Sequence, residues 1–337
     1  MKQTNLSIFI PHSGCPHTCS FCNQRYISGA QKAPTANEVR EILAAQQPNL
    51  EKTEKRAEIA FFGGSFTAIE RDYMISLLET AQEFCRKYPD QYCGIRCSTR
   101  PDCIDADILA LLKKYGMTAI ELGAQSMSDD VLAANERGHN AEQVRKASRL
   151  IKSRGFELGL QMMTGLYLDT REKCLETANE FISLNPDTVR IYPTVILENT
   201  RLAELMKSGG YATFSFEETV DLCAELLEKF NAAGISVIRL GLHASAEVEK
   251  EMIGGSYHPA LREICESRIF LKKIAAEMTK QGGRKFIIYT DGRNVSKING
   301  QKGSNRIALE KMGFSYKIKA EQGTYLRITK TEERNVF

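Results

Sequence analysis

The residues best equipped for chemistry are three cysteines, Cys15, Cys19 and Cys22, which follow the apolar run Leu6 to Ile10 in the segment CPHTCSFC. Their C-x3-C-x2-C spacing puts three thiolates on one short loop. Thiolates select iron–sulfur clusters or zinc, and a structural zinc site wants a fourth ligand at a matching spacing. His12 or His17 would complete such a zinc knuckle. Three thiolates on a four-iron cluster instead leave one iron open, and an open iron can chelate a ligand that brings an amine and a carboxylate.

Small and polar residues recur just after later apolar runs. FFGGSFT places Gly63, Gly64 and Ser65 there, and glycine lets a backbone approach a ligand with no Cβ in the way; a plain strand-to-helix turn is the bland alternative. STRPDCID (Ser98 to Asp105), ELGAQSMSDDVL (Glu121 to Leu132) and ERGHN (Glu136 to Asn140) occupy comparable places further on.

These loops need a scaffold, and the apolar pattern supplies one. Strand-length runs at Leu6 to Ile10, Glu58 to Phe62, Gly94 to Ser98, Ala119 to Leu122, Glu157 to Met163, Thr188 to Tyr192 and Ser236 to Leu240 alternate with helical patterns. Thr35 with Glu38 and Ser215 with Glu218 read as capping boxes, and Gly116, Gly155 and Gly234 stand where left-handed helix ends are expected. Repeated βα units predict parallel strands with right-handed crossovers, an α/β fold closed partly into a TIM-like (β/α) barrel over residues 1–244. Such a barrel builds its site at the C-terminal ends of its strands, where these motifs fall. After residue 244 the rhythm changes to a long helical stretch, Leu261 to Lys280, and short strands such as Lys285 to Thr290, predicting a small α+β module over 245–337.

The 337 residues are 42% hydrophobic and 26% charged, ordinary globular usage. Ten cysteines are too few for a disulfide scaffold, so clustered thiols are read as metal ligands in a reducing, cytoplasmic setting. No signal peptide and no membrane-spanning run of about 18 apolar residues is expected. The net charge is only +3, but residues 281–337 carry 12 Lys and Arg against 5 Asp and Glu, so the basic charge sits at the C-terminus.

With Phe21 before its last cysteine, the C-x3-C-x2-C loop resembles the radical S-adenosylmethionine (SAM) superfamily. The later motifs resemble the branch containing the Elongator catalytic subunit and oxygen-independent coproporphyrinogen oxidase. The resemblance covers about Leu6 to Leu242 and implies an oxygen-sensitive 4Fe-4S cluster on Cys15, Cys19 and Cys22, with SAM at the open iron. It implies SAM cleavage to a 5′-deoxyadenosyl radical, driven by a one-electron donor such as flavodoxin or ferredoxin. By the same resemblance the Gly63-Gly64 turn contacts the SAM amino group, Gln125 the ribose and Arg137 the carboxylate; Ser65, Ser98, Arg100 and Gln161 are further cofactor-side candidates. Two positions depart from the branch: Ser98 stands where an acidic residue is usual, and Tyr167-Leu168 where Pro-Gly is usual.

Tyr192, Arg239, His243, Tyr257 and His258 follow later strands and are candidates for the substrate side, each with a packing role as the alternative. Cys85, Cys93, Cys97 and Cys103 are irregularly spaced and read as buried thiols before an auxiliary cluster, and Cys174, Cys223 and Cys265 as ordinary thiols. Lys297, Lys302, Arg306 and Lys311 offer a phosphate-contacting surface. The expected substrate is therefore RNA, tRNA in the first place. The alternatives are a small molecule, tetrapyrrole or peptide, or a non-catalytic cluster- or haem-handling protein on the same fold.

Overall fold

The structure is a computed structural model that describes residues 3–11, 13–16, 18–23, 32–243 and 245–331. Each expected strand forms: β1 (Gln3–Ile10), β2 (Arg56–Gly63), β3 (Tyr92–Thr99), β4 (Met117–Gln125), β5 (Glu157–Thr164), β6 (Thr188–Pro193) and, after a short β7 (Val195–Leu197), β8 (Ser236–Leu240). All but β7 join one sheet in chain order, and every neighbouring pair is parallel. Helices α1 (Ala36–Lys52), α2 (Arg71–Lys87), α3 (Ala106–Lys114), α4 (Asp129–Ala134), α5 (Ala141–Ser153), α6 (Arg171–Leu184), α7 (Arg201–Lys207) and α8 (Phe216–Ala232) lie in the connections. Side chains of the first and last strands, Asn5, Ser7 and Ile238, line the same cavity, so the sheet curls into a partial barrel.

Period two explains the layering. Ile59, Phe61, Ile95, Cys97, Ile120, Leu122, Leu158, Leu160, Val189 and Ile191 are buried, while the alternate Glu58, Arg96, Gln161 and Arg190 line the concave side. Thr35 and Glu38 form their capping box at the start of α1, and Asn140 with Gln143 forms another at α5. Gly116, Gly155 and Gly234 adopt φ of 82°, 72° and 73° just past α3, α5 and α8.

The chain divides into two compact units, Met1–Ser215 with Phe230–Tyr257, and Phe216–Lys229 with His258–Phe337. Helix α9 (Ala246–Glu251) leads into β9 (Met252–Gly255), which pairs antiparallel with β7 and so ties residues beyond 244 to the first unit. In the second unit α10 (Leu261–Gln281), β10 (Lys285–Thr290), α11 (Val295–Asn299), α12 (Ser304–Lys311), β11 (Ser315–Ala320) and β12 (Arg327–Lys330) form an α+β module. Its sheet runs β11-β10-β12, and Phe270, Ile274 and Met278, four apart on α10, pack with Phe286, Ile288 and Ile328. Among the described residues no helix is long and apolar enough to cross a membrane.

Candidate active site

Glycines lock the cysteine loop to the end of β2. A Cβ on Gly63, at φ 119°, would stand 2.6 Å from the Ile10 carbonyl oxygen, and one on Gly64 only 1.8 Å from that of Ser13. The closeness is used: Gly64 N–H donates to Ile10 O and Ser65 N–H to Ser13 O, both at 2.9 Å. The Gly-Gly turn thus seats the loop's own backbone. Gly63 also lines the cavity, whereas Ser65 is fully buried, bonded to Thr99 Oγ1 at 2.8 Å and accepting from Arg100 N–H at 3.2 Å.

The far side of the loop is held by Asn135. Ser20 donates from its backbone to Asn135 O and from Oγ to Asn135 Oδ1 at 2.8 Å, while Leu202 N–H at the start of α7 donates to Ser20 O. Asn135 Nδ2 also donates to Tyr167 O at 2.9 Å. Tyr167-Leu168 occupies a turn closed by Asp169 N–H to Leu166 O, with Leu168 at φ 61°. Pro-Gly suits that geometry, so the departure from the branch alters the residues of the turn and leaves a tight turn in place.

Cys19 is buried, and Arg137 donates to it from Nη1 at 3.0 Å while Nη2 donates to Gly123 O. The guanidinium also stands 5.7 Å from the centre of the Phe21 ring. Burial, with Cys19 beside it, pushes the Cys15 thiol up, and Arg100 and Arg137 pull it down. Arg100 forks onto Asp102 at 3.0 and 2.9 Å. His12 and His17 lie outside the described residues.

One cavity of about 760 Å³ gathers Cys22, Gly63, Ser98, Gln125 and Gln161 with Tyr192, Arg239 and His243, a volume in the range of small-ligand sites. Gln125 ends β4 at φ 69°, a conformation disfavoured for a residue with a side chain, and its buried Oε1 has no hydrogen-bond partner among the described residues. Arg100 Nη1 and Arg137 Nε are likewise buried without one among those residues. Buried polar atoms are ordinarily satisfied, so these three fit a polar ligand beside the cysteine loop.

The cavity is floored by charges that sequence reasoning missed. Arg96 reaches Glu58 at 2.9 Å, Glu121 at 3.3 Å and Glu157 at 2.7 Å; Arg190 forks onto Glu121 at 2.6 and 2.9 Å; Gln161 donates to Glu121 at 2.8 Å. Glu121 is 1% exposed, and a Cβ on Gly159 would come within 2.6 Å of its Cγ. Burial opposes the Arg190 charge and the Glu121 carboxylate more than offsets it, so the Arg190 pKa is raised. The available signal was one charge inside each of the runs EIAFF, GIRCS, AIEL and TVRIY. Burial pulls Arg239 and His243 down and pushes the Tyr192 phenol up.

The remaining candidates are placed elsewhere. Tyr257 accepts from Ser245 N–H at 3.1 Å and donates to His243 O. His258 belongs to the second unit, where its Nδ1 accepts from Ala260 N–H. Lys297 is paired with Glu266 at 2.6 Å and Arg306 lies 5.5 Å from the Tyr316 ring, while Lys302 and Lys311 are exposed. Cys97, Cys174, Cys223 and Cys265 are buried, and burial raises the Cys85 thiol to about 11. Among the described residues no three His, Cys, Asp or Glu side chains are grouped as ligands of a single ion; thiolates that each hold a different iron of a cluster need not converge on one point.

The family model of the radical SAM superfamily matches residues 9–181, and that of the radical SAM C-terminal domain matches 186–270. The chain belongs to the radical SAM superfamily of enzymes. It is 32% identical to human Elongator complex protein 3 over 190 residues, 51% of this chain and 35% of that protein. It is 29% identical to tRNA uridine(34) acetyltransferase of Methanocaldococcus jannaschii over 186 residues, 50% of this chain and 34% of that protein. The chain thus matches about a third of the length of these relatives. In fold it is similar to archaeal Elp3 of Methanocaldococcus infernus, with a TM-score of 0.58 at 19% identity, covering 84% of this chain and 65% of that one.

Proposed function

We propose that Cys15, Cys19 and Cys22 hold a 4Fe-4S cluster, that SAM binds beside them in the cavity, and that the enzyme modifies RNA, specifically tRNA. The observation that carries the site is the convergence of Cys22, Gly63, Ser98 and Gln125 on one cavity, with the Gln125 backbone strained and its Oε1 unpaired. When bound, a cluster and SAM supply one-electron reductive cleavage and, through it, hydrogen-atom abstraction. A flavodoxin- or ferredoxin-like donor is the expected source of the electron.

The chain's own residues do the rest. Gln125 and Ser98 orient the cofactor's sugar; Gln161 is held for the same task by its bond to Glu121. Arg100 Nη1 and Arg137 Nε, buried beside the cysteine loop without a partner among the described residues, are the candidates for its polar end. Arg137, already on Cys19, offsets thiolate charge and fixes that ligand's position. Tyr192, Arg239 and His243 face the same space and would meet the substrate.

The tRNA reading is supported by the kinship with Elongator complex protein 3 and with a tRNA uridine(34) acetyltransferase. The test is anaerobic. The reconstituted, reduced protein is given SAM with and without total tRNA, and 5′-deoxyadenosine is quantified. Stimulation by tRNA is expected. Cleavage at one slow rate in both arms would instead favour a small molecule, tetrapyrrole or peptide.

A further inference from the structure

The four basic residues picked out near the α11–α12 segment surround the helical side of the C-terminal module, and the opposite face of its sheet carries four more. Strand β10 is central, parallel to β11 and antiparallel to β12. Phe286, Ile288 and Ile328 are buried in the core, with Tyr316 and Ile318 packed against it. By alternation the other face presents Lys285, Ile287 and Tyr289 from β10, Lys317 and Lys319 from β11, and Arg327 from β12. The cross-strand register aligns Lys319, Tyr289 and Arg327 in one row. All four of these cations are exposed, and Tyr289 and Ile287 are partly so.

We infer that this open sheet face is a stacking platform for an unpaired segment of RNA, with Tyr289 at its centre and Lys285, Lys317, Lys319 and Arg327 around it. The inference rests on RNA being the substrate, as proposed above, and assigns where it is held.

Three observations carry it. The outward positions of the three strands hold four cations and no carboxylate; Glu321, just past β11, accepts from Arg327 at 2.9 Å and from Thr324 Oγ1 at 2.7 Å. Lysines on the edge strand β11 alone would be explained as protection against edge-to-edge pairing, but Lys285 and Tyr289 lie on the central strand, where no edge needs blunting. The Arg327 guanidinium lies 3.8 Å from the Tyr289 ring centre and Lys319 Nζ 5.9 Å from it. The guanidinium lies over one face of the Tyr289 ring, so what it turns outward is a positively charged plane backed by the aromatic ring. Exposed aromatics and arginine planes on a sheet stack unpaired bases while flanking cations take phosphates. Paired bases offer no free face, so the platform selects single strands over duplex.

The experiment uses the full reconstituted chain and follows fluorescence anisotropy of a labelled 12-nucleotide RNA, single-stranded and as a duplex, with a tRNA-stimulated 5′-deoxyadenosine assay run in parallel. Tyr289→Ala should weaken single-strand binding about tenfold, and Tyr289→Phe should leave it within about twofold. Lys317→Ala with Lys319→Ala should weaken it and make the salt dependence shallower by about 1.4 in log–log slope. Wild-type-like binding by the Tyr289→Ala and Lys317/Lys319 variants overturns the platform. So does an equal loss on duplex, or a wild type that binds no single strand. The wider reading fails separately, if tRNA does not stimulate 5′-deoxyadenosine.

Discussion

Arg137 and Cys19 are 118 residues apart in sequence, yet the guanidinium Nη1 stands 3.0 Å from the cysteine sulfur, both side chains buried. The fork fixes where the sulfur stands, because its second arm, on Gly123 O, sets the angle at which the first meets Cys19. Arg137→Ala is therefore expected to lower SAM cleavage at least about tenfold, and Arg137→Lys not to restore it, because a point charge cannot serve two acceptors in one plane. Full activity in Arg137→Lys contradicts this role.

Gly64 predicts a defect confined to the loop. A methyl group there meets Ser13 O at 1.8 Å, so Gly64→Ala must displace the segment that carries the cysteines. Expected are a chain that melts nearly as wild type and reconstitutes with markedly less iron. Normal iron content would show that the loop can give way.

Glu121 is the hub of the buried charges, bonded to Arg96, Arg190 and Gln161. Glu121→Gln takes from buried Arg190 the carboxylate it forks onto, while Arg96 keeps Glu58 and Glu157, a change that costs on the order of 3–5 kcal/mol. Urea unfolding at pH 7 measures it. A loss under about 1 kcal/mol would mean that water reaches the network.

His139 gives a pH signature. Burial, and then the charge of Arg137, lower its pKa to about 4 from an ordinary 6.5. The folded state therefore favours the neutral ring. Its contribution is fully present above about pH 6.5 and is lost as pH falls toward 4, at most about 3 kcal/mol. Stability of wild type minus that of His139→Gln, followed from pH 7 to 4, should shrink over that window. A difference independent of pH contradicts the assignment.

Leu168 sits at φ 61° and half exposed. A side chain in that conformation costs about 1–2 kcal/mol, and glycine's extra chain entropy returns part of it. Leu168→Gly should stabilise the protein by up to about 1 kcal/mol; a lower melting temperature would show that the Leu168 side chain has a contact worth more than the strain.

Much of the fold was legible because the barrel strands are short apolar runs, buried almost along their whole length in β2, β3 and β4, and the helices between them are punctuated by caps. Gly116, Gly155 and Gly234 announced the ends of helices that the backbone then confirms. The pairing of β7 with β9 was not legible, since Val195–Leu197 is three residues long and its partner, Met252–Gly255, reads as a glycine turn. Among site residues, Cys15, Cys19 and Cys22 advertise themselves by spacing. Asn135 and Arg96 do not, because their partners come from other strands and loops and only the folded sheet brings them together. Glu58, Glu121 and Arg190 could have been noticed as charges inside apolar runs, where an unpaired charge would not survive burial.

The central claim is that the Cys15–Cys19–Cys22 loop holds a four-iron cluster with an iron open to SAM. The most direct test is electron paramagnetic resonance of the anaerobically reconstituted, reduced protein with iron counted per chain, recorded before and after SAM, beside Cys19→Ala. The account predicts about four irons in wild type, a signal that SAM shifts, and loss of both in the variant. A Cys19→Ala protein with full iron content and the same signal, or a wild-type cluster blind to SAM, would contradict it.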